Sequence, residues 1–408
     1  MAQGGAGGAY FSAVRPVHVI GAGVAGLAAA CTLVEAGRAV VLHEAAKAAG
    51  GRARSYDDRA LGVRIDNGNH LLLSGNVAAM GFLRRVGAEG TLAGPVEPVF
   101  PFVDLGSGER WTLRLGKGRI PWWIFSPSRR IPGTRAWDYL ALLRLRRAEQ
   151  DDLVAGLVGD AGALYETFLE PLAVSALNTP AAVASAAPLR AVLAETIERG
   201  GAATVPRFAK VGLSESFVDP ALAWLRERGA EVRLGSRVTA IDPAAQTVLA
   251  VPAWVAAELV PGLVVPDAFE AIWNAHFLVD FDPGEAGFWG FVGGTAEWAF
   301  AKPGVLSVTV SAANRYAEVG NEAMVARVWG DLSRAFGLGE TIPPHRVVVE
   351  KRATFAAIPA QLRRRPGTVT QNPNLMLAGD WTDTGLPATI EGAIRSGNRA
   401  ALALLRQN

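Results

Sequence analysis

Between Val17 and Glu44 the chain reads VHVIGAGVAGLAAACTLVEAGRAVVLHE: an apolar run, three spaced glycines, an alanine-rich stretch and a second apolar run ending in an acid. Few folds accept that order. Val17–Ile20 is suited to a buried first strand. Gly21 then permits a tight turn, Gly23 lets backbone amides approach an anion with no Cβ in the way, and Gly26 lets the next helix lie close to the sheet. The spacing predicts a helix from about Val24 to Glu35, stopped at Gly37, and a second strand over Ala39–His43. The amino end of that helix aims its dipole and free N–H groups at a phosphate. Glu44 falls about 20 residues past the glycines, where an acidic side chain accepts from a ribose hydroxyl. The whole reads as a βαβ cradle for the ADP part of a dinucleotide. The competing reading is a membrane span, because Val17–Val34 contains no Asp, Glu, Lys or Arg. Its glycines and the acid that follows argue against that.

Two further stretches extend the signal. Gly50-Gly51-Arg52-Ala53-Arg54-Ser55 is a second glycine pair followed by arginine, which would add a cation near the same pyrophosphate. At the carboxyl end, Leu375–Asp380 reads as a buried strand ending in Gly379-Asp380, and Trp381–Pro387 leads into a helix running through Thr389, Glu391, Gly392 and Arg395 to Leu405. These stretches resemble the FAD-binding signatures of the amine oxidase and carotenoid desaturase superfamily, and the resemblance covers nearly the whole chain from Val14. It implies that Gly51 and Arg52 lie at the cofactor, that Asp380, after Gly379, meets the ribityl-phosphate part, and that the helix start at Thr389 lies beside the flavin ring. It also implies that Val238 touches adenine through its backbone. Amides at such a helix start would favour a reduced, anionic flavin.

Within the superfamily, the segment Val63–Asn76, with Asp66, Asn67, Asn69 and His70, is similar to that of the hydroxysqualene dehydroxylases, flavoproteins of hopanoid synthesis. So is Pro171–Pro180, which ends in Asn178-Thr179-Pro180. The resemblance implies reduction of hydroxysqualene to squalene, with reduced FAD giving a hydride to the allylic carbon as the hydroxyl leaves and NADPH as an electron source, although no second nucleotide motif is visible. On the residues alone, Asp66–Asn69 also reads as a tight turn, and Asn178 reads either as a polar group pointed into an apolar pocket or, more in keeping with its position, as a helix terminator. The leaving hydroxide needs a proton. His70, Asp66 and Asp383 are the candidate donors by motif proximity, and each reads equally as a flavin contact or a loop-stabilising group. Two other functions stay open: an oxidative desaturase of an isoprenoid or an amine oxidase of the same fold, and a catalytically idle FAD-binding partner that hands lipid between squalene-pathway synthases.

A chain of 408 residues exceeds one ordinary core, so two domains are expected. The fold class is α/β: a discontinuous Rossmann-like FAD-binding domain from 14–100, 205–260 and 365–408, with an inserted mixed α+β substrate domain from 101–204 and 261–364. Residues 1–13 read as a flexible tail, with neither the basic start nor the apolar core of a signal peptide. Pro220–Arg228 is expected as a helix, and Glu231–Leu234 and Arg237–Ile241 as short strands. Only Asp242–Thr247 then separates them from the next apolar run, where the superfamily usually places a longer β excursion. Ala271–Val310 alternates apolar and turn-rich blocks, as strands of a substrate domain do, and its aromatics suit a hydrophobic triterpene.

A net charge of +2 gives no general case for nucleic acid. One cysteine, Cys31, excludes an internal disulfide and fits a reducing, cytoplasmic compartment, and the histidines at 18, 43, 70, 276 and 345 show no ligand spacing, so no metal is expected. Local charge is more telling: residues 117–147 carry eight basic side chains against one acidic, interleaved with Trp122, Trp123, Phe125 and Trp137. Two readings stand side by side, a peripheral contact with an anionic membrane surface on the inner face of the cell membrane, or a solvated charged helix with its tryptophans packed inward.

Overall fold

Beside a two-stranded and a three-stranded sheet, two large sheets divide the chain. Their strands, in chain order, are β1 (Val17–Ile20), β2 (Val40–Glu44), β3 (Val99–Asp104), β4 (Arg110–Arg114), β5 (Glu231–Leu234), β6 (Thr247–Leu249), β7 (Phe269–Leu278), β8 (Phe288–Val292), β9 (Trp298–Lys302), β10 (Val305–Val310), β11 (His345–Phe355) and β12 (Leu375–Leu377). The structure is a computed structural model and describes residues 15–407. The tail assigned to residues 1–13 lies outside the described residues.

The first sheet has the order β5-β2-β1-β6-β12, with every neighbouring pair parallel. β1, β6 and β12 are almost wholly buried apolar runs, which is what parallel strands covered on both faces require. Helix α1 (Val24–Glu35) covers one face together with the carboxyl-terminal helix Ile390–Leu405. The two helices touch at the backbone: a Cβ on Gly397 would stand 2.0 Å from the carbonyl oxygen of Ala25. Cys31 is packed in this core, where burial pushes its thiol up to about 12. Strands from the beginning, middle and end of the sequence thus meet in one sheet.

The second sheet, order β11-β7-β10-β9-β8-β3-β4, is antiparallel except for the parallel pair β8–β3. β3 straddles the boundary drawn at 100/101, because its pairing with β4 holds Val99 and Phe100 in the second sheet. Helix α2 (Val77–Arg85) belongs to the first core, and α3 (Glu170–Leu177) packs over the second body.

Two expectations need correction. Arg237–Ile241 forms no strand. β5 is an edge strand, Gly235 N and Ser236 N donate back to Ala46 O and Glu44 O, and residues 235–246 must then return to the start of β6, on the far side of β1. A parallel crossover needs about a dozen residues, and this connection has none to spare for pairing. The segment 117–147 is not one charged helix either, but two 3-10 turns, Trp122–Phe125 and Ala136–Leu140, followed by the short helix Ala141–Leu145. Among the described residues no helix is long and apolar enough to cross a membrane, so the alternative reading of Val17–Val34 does not hold.

Candidate active site

The nucleotide cradle is built from two loops clamped together. Gly21 has φ +102°, and a Cβ there would stand 2.4 Å from the carbonyl oxygen of Ala250. A Cβ on Gly26 would stand 1.8 Å from Gly21 O, so the turn and the first helical turn interlock only with glycine at both positions. Gly23 differs: a Cβ there meets nothing within 4 Å, so this turn faces open space. The second loop pairs with the first through a bridge between Gly23 and Gly50 and the bond Gly50 N to Ala22 O, 2.8 Å. Gly51 (φ +57°) follows directly against Gly23. At the start of α1 no side chain caps the helix, no acid stands in its first turn, and the N–H groups of Val24, Ala25 and Gly26 have no acceptor among the described residues. Glu44 accepts from Ala22 N at 2.9 Å through one oxygen and from Ala46 N at 2.8 Å through the other. Each oxygen keeps a lone pair for a ribose hydroxyl. Val238 is half-buried, and its backbone N–H and carbonyl have no partner among the described residues.

The carboxyl-terminal motif closes on the same place. Arg52, expected beside a pyrophosphate, reaches across to the far end of the chain. Its Nη2 donates to Asp380 Oδ1 at 2.6 Å and its Nη1 to Ala353 O at 2.5 Å. The pair joins the glycine loop after β2 to the turn after β12. Gly379 (φ +142°) is fastened by Ser396 Oγ, which accepts from its N–H at 2.8 Å. Thr389 caps the terminal helix by accepting from Gly392 N at 3.0 Å. Glu391, in the first turn, is buried, accepts from Ala78 N (3.0 Å) and Ala79 N (2.8 Å) at the start of α2, and pairs with Arg395.

The segment from Asp66 to His70 lies between the two sheets. Asp66 is 1 % exposed, and its carboxylate accepts from Ser55 Oγ (2.5 Å), Leu213 N (2.9 Å) and Lys302 Nζ, the last residue of β9. Asn67 and Asn69 are not a free turn. Asn69 donates to Thr309 Oγ1 at 3.1 Å, that hydroxyl donates to Asn274 Oδ1 at 2.8 Å, and Asn67 donates to Glu350 at 3.2 Å. The loop is thus sewn to β7, β10 and β11. His70 is half-buried and makes no hydrogen bond among the described residues. Burial pushes its imidazole down to about 4, with Asp66 opposing and Arg52 and Lys302 adding to the push. His276, on β7, is fully buried: one ring nitrogen bonds Ser307 Oγ, the other has no partner, and burial holds this ring too at about 4. Asp383, by contrast, is exposed, accepts from Gly385 N at 3.1 Å within its own turn and lies 4.0 Å from Arg365.

The sequence matches the flavin containing amine oxidoreductase family over residues 24–279 and 282–405. It is 46% identical over 407 residues to the hydroxysqualene dehydroxylase of Rhodopseudomonas palustris, covering 95% of this chain and 97% of that one. It is 45% identical over 403 residues to the hydroxysqualene dehydroxylase of Zymomonas mobilis, covering 94% and 97%. The chain belongs to the flavin containing amine oxidoreductase family. Among solved structures it is similar to an oxidoreductase from Methanosarcina mazei, with a TM-score of 0.73 at 16% identity over 95% of this chain and 99% of that one, a likeness of fold.

As a member of this family the chain is an FAD-dependent oxidoreductase. The open turn at Gly23, the bare helix start and the two spare lone pairs of Glu44 suit the ADP half of FAD. Sequence reasoning missed Lys302, His276, Ser55 and Glu391. Ser55 and Glu391 lay in motifs under scrutiny but Lys302 and His276 did not, and only the folded chain brings Ser55 and Lys302 onto the Asp66 carboxylate.

Proposed function

We propose that this chain carries out reductive dehydroxylation of hydroxysqualene, replacing the hydroxyl by hydrogen to give squalene and water. The observation that carries the reading is the identity of nearly half the residues, end to end, with proteins named for that reaction. Bound FAD, in its reduced form, supplies the hydride. The chain's part is to hold an apolar substrate, exclude water and see the oxygen off as water, for which one proton must reach it. Phe208, Phe288 and Phe300 form a buried aromatic cluster on which Trp298 and Leu71, the residue after His70, are packed, so the surroundings of His70 are apolar on that side.

His70 is the candidate we assign to the departing oxygen. Its ring has no partner of its own, and held neutral it donates one N–H to that oxygen while its other nitrogen takes up a proton from solvent, so that the ring passes on one proton and ends neutral as the oxygen leaves as water. Asp66 is a positioning residue on this reading: with both oxygens engaged, it holds Lys302 near the ring. Asp383 acts as a loop-stabilising group. NADPH is the proposed electron source.

The reading is tested by incubating flavin-loaded protein with hydroxysqualene, with and without NADPH or a chemical reductant, and analysing the extracted lipid by mass spectrometry. Squalene, lighter by one oxygen atom, is expected only where reductant is present. A product lighter by hydrogen and formed from oxidised protein would make the chain a desaturase, and unchanged lipid under all conditions would make it a carrier.

A further inference from the structure

The basic and aromatic segment 117–147 divides into an inner and an outer face. Trp123 and Tyr139 turn inward, edge to face with ring centroids 5.2 Å apart, over a core containing Ile131 and Leu145. The other aromatics turn out. Trp122 is 70% exposed, Phe125 62% and Trp137 62%, and Ile120, Leu140 and Leu143 are exposed on the same turns and helix. Trp122 and Phe125 lie ring to ring at 6.1 Å, an apolar projection with nothing above it among the described residues. Apolar patches rimmed by charge mark interaction surfaces.

The rim is cationic. Arg119, Arg129, Arg135 and Arg147 are exposed and form no ion pair among the described residues, and the Arg135 guanidinium lies 5.7 Å from the ring of Trp137. The acids nearby are already engaged: Asp160 by Arg144 (2.7 Å), Glu198 by Arg146 (3.3 Å), Glu97 by Lys117 (3.2 Å), and Asp138 by the N–H of Arg135 (2.7 Å). The face therefore presents unneutralised guanidinium groups around tryptophan, phenylalanine, isoleucine and leucine.

We propose that this face docks peripherally on a bilayer surface carrying anionic phosphate headgroups, with Trp122, Phe125 and Trp137 at the boundary between headgroups and acyl chains and the arginines on the phosphates. The aliphatic members favour a bilayer over nucleic acid, since Ile120, Leu140 and Leu143 have no π face on which a base could stack. The docked face is also tied to the site. Gly201 N and Ala202 N donate to Gly116 O and Lys117 O, and Ser74 Oγ and Gly75 N donate to Ala202 O and Ala203 O, at the end of the strand that leads from His70. The inference stands whichever reaction the site performs; a triterpene substrate would give it a use.

The test is co-sedimentation of the full-length, flavin-loaded protein with phosphatidylcholine vesicles with and without phosphatidylglycerol. Binding is expected with phosphatidylglycerol, weakened by salt, and accompanied by quenching of tryptophan emission by brominated lipid. Arg119→Glu, Arg129→Glu and Arg135→Glu together should lower the partition at least about tenfold, and Trp122→Ser, Phe125→Ser and Trp137→Ser together should abolish the quenching of outward tryptophans, with the flavin spectrum unchanged in both variants. Should a variant fail to hold flavin, lipid quenching in the unsubstituted protein decides. Protein left in the supernatant, no quenching, or equal binding by the arginine variant overturns the proposal. So does displacement from vesicles by inorganic phosphate or by a single-stranded RNA at an ionic strength at which chloride leaves the protein bound, which would assign the face to a free anion or to nucleic acid.

Discussion

The two halves of the site are held in different ways. On the nucleotide side, backbone does the work: Gly21, Gly26 and Gly50 interlock main chain with main chain, and α1 starts with amides that no side chain caps. On the side proposed to handle the proton, side chains do it: Asp66, Lys302, Asn69, Thr309 and Asn274 sew the loop that carries His70 onto strands of the second sheet. The first arrangement joins Gly21, Gly26 and Gly50, which lie within thirty positions of one another, and at Gly21 and Gly26 it has no room for an added atom. The second joins residues such as Asp66 and Lys302, which are 236 positions apart, and depends on charge being matched in a dry place. A backbone cradle recognises a group common to many ligands, whereas a side-chain network is where one chemistry is distinguished from another.

That contrast predicts a graded set of losses. The largest is Gly26→Val, whose first added atom alone would meet Gly21 O at 1.8 Å; the purified protein should be colourless, and a yellow, FAD-saturated variant would break the interlocking account. Next comes Lys302→Met, which leaves the Asp66 carboxylate buried without its cation and should cost about 3–5 kcal/mol of stability in chemical denaturation. Adding Asp66→Asn should recover part of that loss, and additive losses would mean that the two side chains do not act as a pair. His70→Phe should keep the flavin spectrum and lower turnover about a hundredfold or more, with His70→Gln, which retains a donor, falling between. Equal turnover in all three would remove His70 from the reaction.

Smaller effects refine the picture. His276 has a folded pKa of about 4 against an ordinary 6.5, so the unfolded chain takes up the extra proton first. Its contribution to stability is therefore complete above pH about 6.5 and declines as pH falls toward 4. Melting temperatures from pH 7.5 down should drop less steeply in His276→Asn than in the unsubstituted protein, and identical slopes would contradict the buried neutral ring. Asp383→Ala should change stability by no more than about 0.5 kcal/mol and leave turnover near normal, as an exposed turn residue does.

How far the sequence disclosed all this follows from the same contrast. Glycine positions in a βαβ unit are dictated by local geometry, so β1 and α1 fall where the pattern set them, and the αL cap at Asn178 (φ 49°) was readable from an Asn-Thr-Pro ending. Asn178 also accepts from Ala312 N at 2.6 Å, which only the folded chain reveals. Lys302 carries no local signal, because a lysine before Pro-Gly reads as a surface turn until β9 brings it onto Asp66. Arg52 was read from its neighbours in sequence, and its pairing with Asp380, 328 positions away, shows only in the fold. Nor did any periodicity separate Trp122 from Trp123, since 3-10 turns do not keep the helical repeat that sorts inner from outer residues.

The direction of hydride transfer decides between the proposed reaction and its oxidative alternatives on the same frame. Protein whose flavin has been reduced, mixed with hydroxysqualene under strict anaerobiosis in a stopped-flow spectrometer, reports that direction in the flavin absorbance itself. The account predicts reoxidation at a rate that depends on hydroxysqualene, with squalene formed in proportion to flavin oxidised. Flavin that stays reduced beside hydroxysqualene, while oxidised protein is bleached by a polyene or an amine, would contradict it.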